Sequence, residues 1–132
     1  MSQRTVLVVD DEPMIRMVLA DALEDEGFLV IEASNVLEAV AVLGNRHVDC
    51  LVTDIDMPEG LNGLDLVKFV PGFDARMIVV VVSGGRTPSE AELPICCQFI
   101  QKPYSLEAII ENLSPAGRRE DLRLGLPRLR QS

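Results

Sequence analysis

Met77-Ile78-Val79-Val80-Val81-Val82 is an unbroken apolar run, closed by Ser83-Gly84-Gly85. It is too short for a buried helix and shows no polar alternation, so it reads as a strand covered on both faces. Strands of that kind belong to parallel sheets with helices packed on either side. Working outward, Val48 to Thr53 is a similar strand ending in Asp54, and Val6 to Val9 is a third, closed by Asp10-Asp11. Phe28 to Ile31 and Cys97 to Gln101 complete a set of five, the last running into Lys102-Pro103.

Helical patterns lie between them. Pro13 suits a first turn, and Met14, Ile15, Val18, Leu19, Ala22 and Leu23 recur at helix spacing until Gly27. Ser34 or Asn35 caps a second helix, with Asn35 and Glu38 at capping-box spacing. Its stripe is Val36, Leu37, Val40, Ala41 and Leu43, and Gly44-Asn45 stops it. Leu64 to Val70 is a short third helix, halted by Pro71-Gly72, and Ser105 caps a last one over Leu106 to Leu113. Residues 86–95 carry Pro88 and Pro94, which leave room for at most one turn. The pattern is therefore α/β: a doubly wound, five-stranded parallel sheet with right-handed crossovers and a shortened or absent fourth helix.

Composition agrees with one ordinary globular domain: 132 residues, 48% hydrophobic and 25% charged. Twelve basic residues against twenty-one acidic ones leave a net charge of −9, which argues against a nucleic-acid partner. The charge is uneven. Residues 116–132 hold five arginines and two acids, a net of +3, leaving −12 on residues 1–115. We place a domain over 1–115 and a short basic tail over 116–132, with no output domain. No apolar run reaches membrane-spanning length and no leader peptide precedes the first strand, so a cytoplasmic protein is expected. Three cysteines, Cys50, Cys96 and Cys97, are read as packed, reduced thiols. One histidine, His47, builds no zinc site and reads as surface.

In a doubly wound sheet the ligand site lies beyond the carboxyl ends of the strands. The residues at those ends are therefore the informative ones: Asp10-Asp11, Asp54, Ser83 and Lys102. Three carboxylates at about 5 Å repel by on the order of 3 kcal/mol per pair at an effective dielectric near 20. Lys102 offsets part of that, and a hard divalent ion such as Mg²⁺, which keeps waters and open positions, offsets the rest. A carboxylate, a lysine and a hydroxyl around such an ion are what phosphoryl transfer to an aspartate requires.

Asp10-Asp11, Asp54 with Met57-Pro58 and Gly63, Ser83-Gly84, and Lys102-Pro103-Tyr104 together make residues 5–113 resemble the receiver domain of two-component response regulators. The resemblance implies a flavodoxin-like strand order of 2-1-3-4-5. It implies that Asp54 is the phosphoacceptor and that Mg²⁺ is held by Asp11 directly, by Asp10 mainly through water, by Asp54 and by the main-chain carbonyl of Asp56. Ser83 would hydrogen-bond the phosphoryl group and Lys102 would pair with it. Phe99 falls where the family places a rotating aromatic, so Ser83 and Phe99 are the switch candidates, although a lone aromatic in a strand is core by default. The side chain of Asp56 is expected to face solvent, and Glu12 to be a first-turn acid.

The implied donor is a phosphohistidine on a sensor histidine kinase or a histidine phosphotransfer protein. The chain reads as a stand-alone receiver, monomeric or a weak homodimer, signalling to an unknown downstream protein by contact or by phosphorelay. It is a phosphoacceptor and not an enzyme in the ordinary sense. Two alternatives stay open: a phosphate-independent module on the same fold, and a small aspartyl phosphatase, because Asp54-Ile55-Asp56 follows an apolar strand.

Overall fold

The computed structural model describes residues 3–57, 60–68, 76–85, 88 and 97–113. In chain order these form β1 (Thr5–Val9), α1 (Pro13–Asp25), β2 (Leu29–Ala33), α2 (Val36–Asn45), β3 (Cys50–Asp54), α3 (Gly63–Val67), β4 (Ile78–Ser83), β5 (Cys97–Gln101) and α4 (Leu106–Asn112). The strands make one sheet in the order β2-β1-β3-β4-β5, and every neighbouring pair is parallel. The order reverses between β1 and β3, which opens a crevice at their carboxyl ends.

Alternation along the strands divides the core. Leu7, Val9, Leu51, Ile55, Val79 and Val81 point to one face and pack against α2 and α3 through Val36, Ala39, Leu43, Leu64, Leu66 and Val67. Val6, Val8, Cys50, Val52, Ile78, Val80 and Val82 point to the other, with Leu19 and Leu23 of α1 and Ile109 of α4. Both faces are thus covered, which is why β1, β3 and β4 are buried without interruption and mostly apolar. Among the described residues no helix is long and apolar enough to cross a membrane.

Local chemistry sets the helix ends. Pro13 opens α1, and Gly27, at φ +100°, lets the chain close a Schellman-type end in which the Phe28 N–H donates to the Leu23 carbonyl at 3.1 Å. Asn35 caps α2 by accepting from the Glu38 N–H, while Glu38 reaches back to the N–H and hydroxyl of Ser34. Asn62 and Asp65 form a full capping box on α3, and Ser105 caps α4.

Element bounds and two helix stripes are revised. β2 runs from Leu29 to Ala33, one residue later at its start and two at its end than expected, β3 starts at Cys50, and α3 ends at Val67. The expected stripe of α1 is only half core: Leu19, Ala20 and Leu23 are buried, whereas Met14 and Val18 are 76% and 58% exposed. The first two turns of α1 border a surface groove of about 330 Å³, which Met14, Ile15 and Val18 line together with Tyr104 and Leu106. On α2, Leu37 is likewise exposed and Ala39 buried in its place. Apart from Pro88, the residues of the shortened-fourth-helix reading, 86–95, and those of the tail, 116–132, fall outside the described residues. Cys50 and Cys97 form no disulfide, and burial pushes the Cys50 thiol up to about 11 against the lowering effect of Arg4, so it stays protonated. His47 lies at the surface, 2.8 Å from Asp49.

The division of α1 has a measurable consequence. Leu23→Ala should cost about 2–5 kcal/mol in urea unfolding, as for other fully buried leucines. Val18→Ser should change stability by no more than about 0.5 kcal/mol, the range of surface sites. Equal losses would mean that the whole stripe is core.

Candidate functional site

Strand register brings the chemical groups together. Asp54 ends β3 opposite Val82 of β4, and the Ile55 N–H donates to the Val82 carbonyl. Ser83 ends β4 opposite Gln101 of β5, and the Lys102 N–H donates to the Ser83 carbonyl at 2.9 Å. Asp10 follows β1, and its N–H donates to Ala33 at the end of β2. Each strand therefore delivers its last group to one edge of the sheet.

Three carboxylates converge there. One oxygen from each of Asp10, Asp11 and Asp54 lies within 4.8 Å of the others, with Asp10 and Asp54 buried. The all-oxygen donor set and its close spacing fit a hard divalent cation such as Mg²⁺. Burial, with the charge of Asp54 added, raises the Asp10 carboxyl above its ordinary range, against the lowering effect of the Glu12 N–H.

Each member is braced. The Asp10 side chain accepts from the Glu12 N–H at 2.9 Å, and its carbonyl accepts from Arg16, which also pairs with Glu32. Glu12 is the N-cap residue of α1, but its side chain makes no capping bond. Asp54 is held from two sides: one oxygen accepts from the Asp56 N–H at 2.9 Å and the other from Lys102 Nζ at 3.1 Å. Burial would lower the Lys102 ammonium, but the Asp54 bond and the charges of Asp54 and Asp10 outweigh it and raise it. Burial and the Asp10 charge also raise the Tyr104 phenol.

Asp56 is exposed, as expected, and its side chain also makes a contact that was not expected, with Ser83. The Ser83 hydroxyl lies 2.9 and 3.0 Å from its two oxygens, and the N–H groups of Gly84 and Gly85 donate to it at 2.9 and 3.2 Å. Burial alone would raise this carboxyl, yet the Gly84 N–H, the Ser83 hydroxyl and the Gly85 N–H together hold it low. An acid two residues past one strand, facing a Ser-Gly-Gly turn past the next, is the sequence signal for this contact.

Gly63 is the second feature that composition alone did not explain. A Cβ there would run into the carbonyl of Asp54 and the hydroxyl of Thr53. α3 can begin against the acceptor strand only because this position lacks a side chain. Phe99 is half-buried against the α2/α3 core, opposite Val81. Asp10, Asp11, Asp54, Asp56, Ser83 and Lys102 thus meet at one edge, and Phe99 lies on the sheet face below it.

Comparison with known families matches residues 6–114 to the response regulator receiver domain. The chemotaxis protein CheY of Thermotoga maritima is 33% identical over 115 residues, spanning 84% of this chain and 95% of that one. An NtrX-like response regulator of Rickettsia conorii is 32% identical over 120 residues, 88% of this chain but only 25% of that protein, so the chain spans about a quarter of its length. Among solved structures, a response regulator receiver protein of Sinorhizobium medicae superposes with a TM-score of 0.75 at 25% identity, covering 85% of this chain and 92% of the other. With its parallel 2-1-3-4-5 sheet and its acidic edge, the chain belongs to the receiver domains of two-component response regulators.

Proposed function

We propose that Asp54 accepts a phosphoryl group from a phosphohistidine on a sensor histidine kinase or a histidine phosphotransfer protein. The observation that carries this reading is the double bracing of a buried carboxylate, by Lys102 on one oxygen and the Asp56 N–H on the other, beside two further acids. A carboxylate fixed in this way loses little freedom when it attacks. An Asp54 oxygen attacks phosphorus, the phosphorus–nitrogen bond breaks, and the electron pair leaves on the imidazole, which takes a proton from solvent. The product is an acyl phosphate. Lys102 is a donor to the transferred oxygens, as are the Ser83 hydroxyl and the Gly84 N–H once they exchange their present acceptor, Asp56.

Asp10, Asp11, Asp54 and the carbonyl of Asp56 would hold Mg²⁺. When bound, that ion neutralises charge on the acids and the incoming phosphoryl group. Output proceeds by protein contact or by passing the phosphoryl group on, from a monomer or weak homodimer in the cytoplasm. Ser83 and Phe99 are the groups we assign to the switch. No step here calls for a nucleic acid or a membrane.

The direct test is intact mass after incubation with acetyl phosphate and Mg²⁺. Wild type should gain one phosphoryl group, labile to hydroxylamine, and Asp54→Asn none. Equal labelling of the two would remove Asp54 as acceptor.

Asp10 supplies a second test. Its folded-state carboxyl is raised, mainly by burial and by the Asp54 charge. The native state therefore holds this proton more tightly than the unfolded chain does. That contribution is present below the ordinary aspartate range and lost as pH rises through the folded value. In metal-free buffer Asp10→Asn should melt higher than wild type at pH 7, and the gap should close on acidification. Mg²⁺ at one hundred times its Kd should stabilise wild type by about 2.7 kcal/mol by mass action. Asp10→Asn should gain much less. A metal-free Asp10→Asn that melts lower than wild type at pH 7 would contradict the arrangement.

A further inference from the structure

Ser83, Gly84 and Gly85 already hold an anion that belongs to the chain. The Asp56 carboxylate receives the Ser83 hydroxyl at 2.9 Å and the N–H groups of Gly84 and Gly85 at 2.9 and 3.2 Å. Two consecutive N–H groups and a hydroxyl aimed at one point form an anion seat of the nest type. The seat stands beside Asp54, whose own oxygen accepts from the Asp56 N–H at 2.9 Å. Gly85 gives the carboxylate room, because a Cβ there would stand 3.3 Å from it and would need it to shift by a few tenths of an ångström.

We infer that the Asp56 carboxylate is a resident competitor for the seat, and that a phosphoryl group on Asp54 must displace it to gain Ser83 and Gly84. This rests on Asp54 being the phosphoacceptor. The competition arises from simple limits. A serine hydroxyl has one proton to donate, so Ser83 serves either Asp56 or a phosphoryl oxygen. Each N–H likewise has one hydrogen. Two anions cannot crowd the same donors without strong repulsion. Displacement frees the β3–α3 segment at Asp56 while the β4 end keeps an occupied seat, so one exchange of acceptors marks both loops at once. Asp56 is thereby a positioning residue. It sets how readily the unmodified and modified arrangements interchange, without touching the transferring phosphorus.

The test uses the full chain with Mg²⁺ and beryllofluoride as phosphoryl mimic, following the Gly84 and Gly85 amide signals and the Asp56 side-chain carboxyl signal by NMR. Without the mimic, Asp56→Ala should shift both glycine amides upfield of wild type, because their acceptor is gone. On titration, Asp56→Ala should bind the mimic at least about tenfold more tightly, the scale of one charge-assisted hydrogen bond. Asp56→Asn, which keeps an acceptor oxygen but loses the charge, should fall between. In wild type the Asp56 carboxyl signal should move on binding while the Gly84 amide stays bonded. Glu12→Gln removes a nearby charge without touching the seat and should change affinity by less than about threefold. Equal affinity in wild type and Asp56→Ala, with binding still lost in Asp54→Asn, would overturn the competition and leave Asp54 as acceptor. An equal gain in Glu12→Gln would reduce the effect to bulk charge and overturn it too. Failure of both wild type and Asp56→Ala to bind the mimic would overturn the acceptor reading, and this inference with it.

Discussion

A buried carboxylate with one lysine against it organises this molecule. Asp54 is 3% exposed, stands near Asp10 and Asp11, and has Lys102 Nζ at 3.1 Å. One ammonium does not balance three acids at this separation, where each like-charge pair costs on the order of 3 kcal/mol. The edge of the sheet thus carries uncompensated negative charge, and burial, with the Asp54 charge added, raises the Asp10 carboxyl there. A fold under no functional demand would shed such acids, whereas one that recruits a cation and an anion in turn has use for them.

The rest of the architecture keeps that edge in place. Parallel pairing sends the carboxyl ends of β1, β3, β4 and β5 to the same side, and the register sets Lys102 beside Ser83 and Asp54 beside Val82. Gly63 lets α3 start directly against the Asp54 carbonyl. Arg16 ties the Asp10 carbonyl to Glu32, so the first turn of α1 also bears on the site. Burial of valine-rich strands between two helical layers supplies the rigidity that a charged edge needs.

Much of this was legible in the residues. The ends of β1, β3 and β4 were readable because each apolar run stops at a polar residue, and the structure brings those polar residues together at one edge. Helix faces were less readable. Met14 and Val18 keep helical spacing with Leu19 and Leu23, but spacing does not fix how wide a face the sheet covers, and Val18, next to buried Leu19, falls outside it. The carbonyl of Asp56 came with the family pattern. Its side chain did not, because the contact with Ser83 and the glycine N–H groups joins loops 27 to 29 residues apart. Pairings across that separation depend on register, which local pattern does not carry.

The most direct measurement is a crystal structure of the full chain grown with Mg²⁺ and beryllofluoride. The mimic should sit on an Asp54 oxygen and receive Lys102, the Ser83 hydroxyl and the Gly84 N–H, with the metal against Asp10, Asp11 and Asp54 and the Asp56 carboxylate turned away from Ser83. A mimic bound away from Asp54, or a metal held without these three carboxylates, would contradict the assignment of this edge as the phosphoryl-accepting site.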